Sequence, residues 1–164
     1  MNPIYQIDNQ DNGHGTVINL AALQFVGVIH PSTRHSRRYF NVTVSGNERL
    51  VESGGKHDIE VHREHLITAW QEYNNMATST STKRHQHHRI EKGDNHALID
   101  LHEVLYVGAV MELNDNKYGF PIILRSTGLP INVSFDRESE ASRAHVALDN
   151  AYGDYLDNLN QQGV

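Results

Sequence analysis

The chain has 164 residues, with 14 Lys and Arg against 20 Asp and Glu, 12 His, no Cys and a formal net charge of −6. That length suits one domain or two very small ones, and 38% hydrophobic with 21% charged residues is ordinary globular composition. The composition excludes disulfides and Cys-based zinc sites, the acidic balance disfavours a general nucleic-acid coat, and no apolar run approaches the ~18 residues of a membrane span. Met1 to Gly15 holds neither a basic nor an apolar region, so no secretory signal is expected and the cytoplasm is the expected location.

Residues 1–16 read as an N-terminal extension and 17–75 as a first folding unit. A short strand at Val17 to Leu20 precedes an apolar, β-branched strand from Leu23 to Ile29. Gly27 inside that strand marks a bulge or a close backbone approach. Phe40, Val42 and Val44 alternate with Asn41, Thr43 and Ser45, the period of a half-buried strand. Ser45, Gly46 and Asn47 form a turn, and Leu50 and Val51 a short return strand. Asp58 can cap a helix whose apolar face is Ile59, Leu66, Ile67, Trp70 and Tyr73.

Residues 76–96 read as a linker. The segment is rich in Ser, Thr, His and charge and poor in apolar residues, which points to a flexible or exposed connection. A second unit follows over 97–164 and repeats the words of the first at a nearly constant offset. Ile18, Leu20, Val26 and Gly27 fall on Ile99, Leu101, Val107 and Gly108. His62 to Leu66 likewise resembles Ser142 to Val146. Phe120, Ile122 and Leu124 alternate as a strand, Thr127 and Gly128 turn, and Ile131, Val133 and Phe135 return. Pro121 lacks an N–H, so its strand is expected at an edge or with that nitrogen turned outward. Asp136 or Ser139 can cap the last helix, striped by Ala141, His145, Leu148, Tyr152, Tyr155, Leu156 and Leu159. Gly153 weakens that helix or ends it. The expected fold is therefore α+β, two tandem antiparallel β-β-β(-β)-α repeats related by a pseudo-twofold axis.

Two basic clusters are the candidate binding residues. Arg34, His35, Arg37 and Arg38 sit on a loop between two strands. Lys83, Arg84, His85, His87, His88 and Arg89 sit in the linker. Both sets donate to phosphates and other anions. The loop cluster is expected to contribute more, because linker residues must first be ordered, at about 1–2 kcal/mol each. Against these, residues 93–164 carry 4 basic and 11 acidic side chains, so the second half is strongly acidic.

Catalytic signatures are sparse. His62-Arg63-Glu64-His65 is one residue short of the H-x-x-E-H zinc motif. Gly13-His14-Gly15 lacks the strand and helix of a phosphate loop. With no nucleophile elbow and no Cys nucleophile, no catalytic residue, no metal ligand and no cofactor is assigned, and the chain reads as a non-enzyme.

Ile99-Asp100-Leu101, Tyr106-Val107-Gly108 and Tyr118-Gly119-Phe120 resemble the small β-rich accessory proteins common in bacteriophage genomes. The resemblance covers both units but not the linker. It implies a phage-type inhibitor of host defence, acting in the host cytoplasm by occupying a host protein surface or sequestering a small anionic nucleotide. The alternative is a nucleic-acid-binding protein using the basic loop and linker. More distant is a metal-dependent hydrolase using His62 and His65. No membrane partner is expected, and a homo-oligomer is compatible with the sequence.

Overall fold

A computed structural model describes residues 3–7, 16–31, 38–53, 56–80, 84–125 and 130–161. The chain divides into two compact units, Met1–His85 and Gln86–Val164. Both mix helices with antiparallel strands, as the alternation and helical stripes require. Among the described residues no helix is long and apolar enough to cross a membrane.

In the first unit, β1 (Ile4–Ile7) pairs antiparallel with β2 (Thr16–Asn19). The segment expected to be an extension therefore carries a strand of its own. Its buried face holds Ile7 and Ile18. One turn of 3-10 helix, Leu20–Ala22, follows, and the Asn19 side chain accepts from the Ala21 N–H at 3.0 Å. Then β3 (Leu23–Pro31), β4 (Arg38–Val44) and β5 (Asn47–Ser53) form an antiparallel sheet in the order β5-β4-β3. Ser45 and Gly46 both have positive φ (49° and 80°), the two-residue hairpin geometry that follows strand twist. Gly27 lies where the β3–β4 register shifts, and a Cβ there would stand 3.1 Å from the Asn41 carbonyl oxygen.

α1 (Lys56–Thr80) covers this sheet. Asp58 lies within its first turn, where its charge suits the helix dipole, rather than in the cap. Ile59, Leu66, Ile67 and Trp70 are buried as the spacing predicts. Tyr73 is only half-buried, and Asn74 takes the inward position beside it. Arg63 is also buried on this face, and its Nε donates to the Gly27 carbonyl at 2.8 Å. That bond satisfies an acceptor freed by the bulge.

The second unit begins with β6 (His87–Lys92) and β7 (Asn95–Asp100), a hairpin turned at Gly93 with φ 59°. Here the structure corrects the linker reading. α1 runs on to Thr80, and residues 87–92 and 95–96 are paired backbone. Ile90, a lone apolar residue in a polar strand, is buried and anchors β6. A 3-10 turn over Leu101–Glu103 leads into β8 (Val104–Val107) and β9 (Met111–Glu112). β10 (Tyr118–Leu124) is central, with β11 (Ile131–Phe135) on one side and β8 and β9 on the other. The expected turn residues Thr127 and Gly128 lie outside the described residues.

Pro121 thus stands in a central strand, not at an edge. Its carbonyl accepts from the Gly108 N–H at 2.8 Å, so its nitrogen faces the same side, where the partner strand is broken between β8 and β9. The missing donor falls in that gap. Gly119 lies on the same strand, and a Cβ there would collide with the Val133 carbonyl.

α2 (Glu138–Gln161) buries Ala141, Ala144, Leu148 and Tyr155. Leu156, expected in the stripe, is exposed. His145 packs edge-on against Phe120, with ring centroids 5.3 Å apart, whereas its sequence counterpart His65 is exposed. Gly153 neither ends nor breaks the helix. The duplication and its pseudo-twofold axis remain readings of the sequence. The first unit shows a strand pair, a 3-10 turn, the strands β3 to β5 and a helix, and the second a hairpin, 3-10 turns, a four-stranded sheet and a helix.

Two substitutions check these assignments. Trp70 is 0% exposed, and Trp70→Ala is expected to cost about 3–5 kcal/mol, read as a lowered denaturation midpoint. An unchanged midpoint would remove Trp70 from the core. Gly153 is exposed, and a Cβ there meets nothing within 4 Å. Gly153→Ala should therefore stabilise by roughly 0.5–1 kcal/mol, seen as a higher melting temperature.

Candidate functional site

The structure separates the residues that the sequence grouped. Arg34, His35, Arg37 and Lys83 lie outside the described residues. Arg38 opens β4, half-buried and opposite Ser53. Arg84 and His85 are half-buried at the end of the first unit. His87, His88 and Arg89 stand on β6, so this part of the run is held on a strand and not on a flexible linker. The entropic ground for ranking it below the loop cluster is removed for these three positions.

Alternation along β6 divides the three. His88 shares a face with buried Ile90. Its Nε2 is buried and has no hydrogen-bond partner among the described residues. Burial holds its imidazole below the usual histidine range, opposed in part by Glu91. Arg89 lies on the other face and is exposed.

Arg89 opens onto a cleft of about 480 Å³ within the second unit. One wall is β6 and its turn, with Arg89, Glu91 and Gly93. The other is a stripe of α2, with Glu140, Arg143, Ala144 and Ala147 at helical spacing. The alanines leave the space, and the four charged side chains border it. Burial lowers the Lys92 ammonium, while Asp136 and Glu140 hold it up against Lys117. Glu140 also faces Arg137 at 4.0 Å, and Lys117 pairs with Asp136. That pairing holds the exposed Asp136 carboxyl below the usual carboxylate range.

A second polar constellation surrounds the 3-10 turn. Asp100 is 1% exposed, and its Oδ1 accepts from the backbone N–H groups of His102 at 3.0 Å and Gln86 at 3.3 Å. His102 Nδ1 and the Tyr155 hydroxyl lie 3.1 Å apart. Tyr152 donates to the Val104 carbonyl at 2.9 Å, and Arg125 Nε to the His102 carbonyl at 2.8 Å. An Asp, a His and a Tyr in one cluster can move protons in other settings. Here the carboxylate oxygen and the Tyr152 and Arg125 donors serve the backbone, so the cluster fixes a corner.

His62 and His65, the metal pair considered from sequence, are half-buried and exposed respectively. No group of three or more His, Asp or Glu suited to a metal ion occurs among the described residues. Sequence reasoning named Arg89 but missed Glu91, Glu140 and Arg143. The visible signal was a charge stripe, Glu140 and Arg143, beside Ala144 and Ala147. Compared with family models, curated proteins and solved structures, the chain matches none.

Tyr155 yields a pH prediction. Burial, reinforced by the Asp100 carboxylate, pushes its hydroxyl from 10.0 up to about 12. A folded-state value above the unfolded one favours the protonated ring in the native state. This contribution is fully present below pH 10.0 and lost as pH rises through about 12. Denaturation midpoints of the wild type should fall over that window, and Tyr155→Phe should flatten the fall. Equal slopes for both proteins would exclude Tyr155 as the cause.

Proposed function

We propose that this chain is a non-enzymatic binding protein that holds a small nucleotide-type anion in the cleft between β6 and α2. One observation carries the reading: two guanidinium groups, Arg89 and Arg143, border a single cleft of about 480 Å³ from two different elements. That volume falls in the ~300–1,000 Å³ range of small-molecule sites. Guanidinium forks match phosphate oxygens in pairs and keep their charge at any physiological pH. Both arginines spring from regular structure, so little backbone ordering accompanies binding. In the setting that the phage resemblance supplies, the act is sequestration of a host nucleotide signal.

Calorimetric titration with GMP and with inorganic pyrophosphate tests this. Arg89→Ala and Arg143→Ala are each expected to weaken binding about tenfold or more, since hydrogen bonds to a charged group are worth roughly 1.5–3 kcal/mol. Unchanged affinity in the double variant would refute the site. Preferential binding of a single-stranded oligonucleotide, lost steeply with salt, would favour the nucleic-acid alternative instead.

A further inference from the structure

One border of the sheet built on β10 is open. β10 bonds to β11 on one side and to β8 and β9 on the other, and among the described residues no further strand pairs with β8. Tyr106 stands opposite Ile123, and Val107 opposite Ile122. The Gly108 N–H donates to the Pro121 carbonyl at 2.8 Å, so Gly108 turns its amide inward. By the alternation of an antiparallel ladder, Val107 turns its N–H and carbonyl outward. The register slips between Val104 and Tyr106, which makes Leu105 the extra residue of a bulge. Natural edges are blunted with charge or Pro. β5 carries Glu48, Arg49 and Glu52, and β6 carries Arg89, Glu91 and Lys92. The run from Leu105 to Met111 carries no charge at all. Its Leu105, Tyr106 and Met111 are 51%, 54% and 45% exposed.

We infer that this edge takes up an extended apolar segment of another protein, flanked by Lys or Arg. A row of backbone donors and acceptors is matched by an added strand, and the exposed side chains give that strand apolar contacts. The surrounding charge sets the flanks. From Leu101 to Asn116 every charged side chain is acidic, namely Glu103, Glu112 and Asp115. Basic flanks complement them. A second copy of this chain fits less well. Antiparallel pairing about the Val107–Gly108 peptide would set Glu103 of each copy opposite Glu112 of the other, and like charges so placed destabilise a ladder. None of the residues that border the cleft lies on β8 or β9, so this surface is separate from the nucleotide site.

The test is fluorescence anisotropy of a labelled peptide of alternating Val and Thr with Lys at both ends, titrated with the full chain. Binding is expected, and the same peptide with Glu ends should bind about fivefold more weakly or worse. N-methylation of every central amide removes the peptide's ladder donors, leaves the protein unchanged and should cost tenfold or more, to order of magnitude. Val107→Pro removes an outward N–H while Tyr106 and Gly108 keep their bonds to β10, and should weaken the Lys-ended peptide about tenfold. Leu105→Lys alters only an exposed side chain and should weaken it about fivefold at an unchanged melting temperature. The methylated peptide and Leu105→Lys decide the matter whether or not the Pro variant folds. Equal binding of the Glu-ended peptide would overturn the basic flanks. Equal binding of the methylated peptide would overturn strand addition, and failure of the Lys-ended peptide to bind would overturn the whole inference. A doubled mass in sedimentation, abolished by Leu105→Lys, would give the edge to a second copy and overturn the basic partner.

Discussion

The buried carboxylate of Asp100 governs the second unit. Placing an Asp at such depth is costly unless hydrogen bonds replace its water. Asp100 receives two backbone N–H groups, one from the turn that it caps and one from Gln86, the residue before β6. The Leu101 N–H returns to the Gln86 carbonyl at 2.7 Å, which locks the start of the hairpin to its end. From this corner β8 leaves in a fixed direction, and Arg125 and the tyrosines of α2 tie onto it. The helix that forms one wall of the cleft is thereby anchored near its far end. Just before its first turn, Asp136 pairs with Lys117. The cleft lies between these two attachments.

The first unit solves the same local problem with a neutral side chain. Asn19 caps a 3-10 turn, Leu20 is buried, and Ser45 N–H donates to the Ala22 carbonyl at 2.9 Å. In the second unit Leu101 is buried, and Arg125 N–H donates to the Glu103 carbonyl at 2.7 Å. A short polar residue followed by a leucine is what each corner needs. The side chain accepts the amide that a single helical turn leaves bare, and the leucine fills the space beneath. The Asp100 side chain in the second unit also accepts from the Gln86 N–H.

Much of this fold was legible because its strands and helices bury one face each. The alternation at Phe40, Val42 and Val44 and the stripe through Ile59, Leu66 and Trp70 are the direct imprint of that burial. β6 was not legible. Its outward face is Arg89 and Glu91, and of its inward residues only Ile90 is apolar, so its period is hidden in polar chemistry. β7 was obscured for the opposite reason, since Ala97 to Asp100 are buried without alternation. Pro121 misled because an edge is the usual way to excuse a missing donor, whereas here a gap in the neighbouring strand excuses it. The cleft could be read only in half. Arg89 stood out in a basic run, but its partners Glu140 and Arg143 lie some fifty residues away, and packing alone makes them neighbours.

The chain's single tryptophan has an optical consequence. Trp70 is fully buried in the first unit, and the second unit contains none. Indole emission therefore reports on one half of the molecule, from a dry environment that shifts to the red when water enters. The second half is visible only through tyrosine, notably Tyr152 and Tyr155 on α2. Excitation at the red edge of the absorption band isolates the first unit, and far-ultraviolet dichroism sees both. Any difference between the two transitions on heating would show whether the units melt together or in turn.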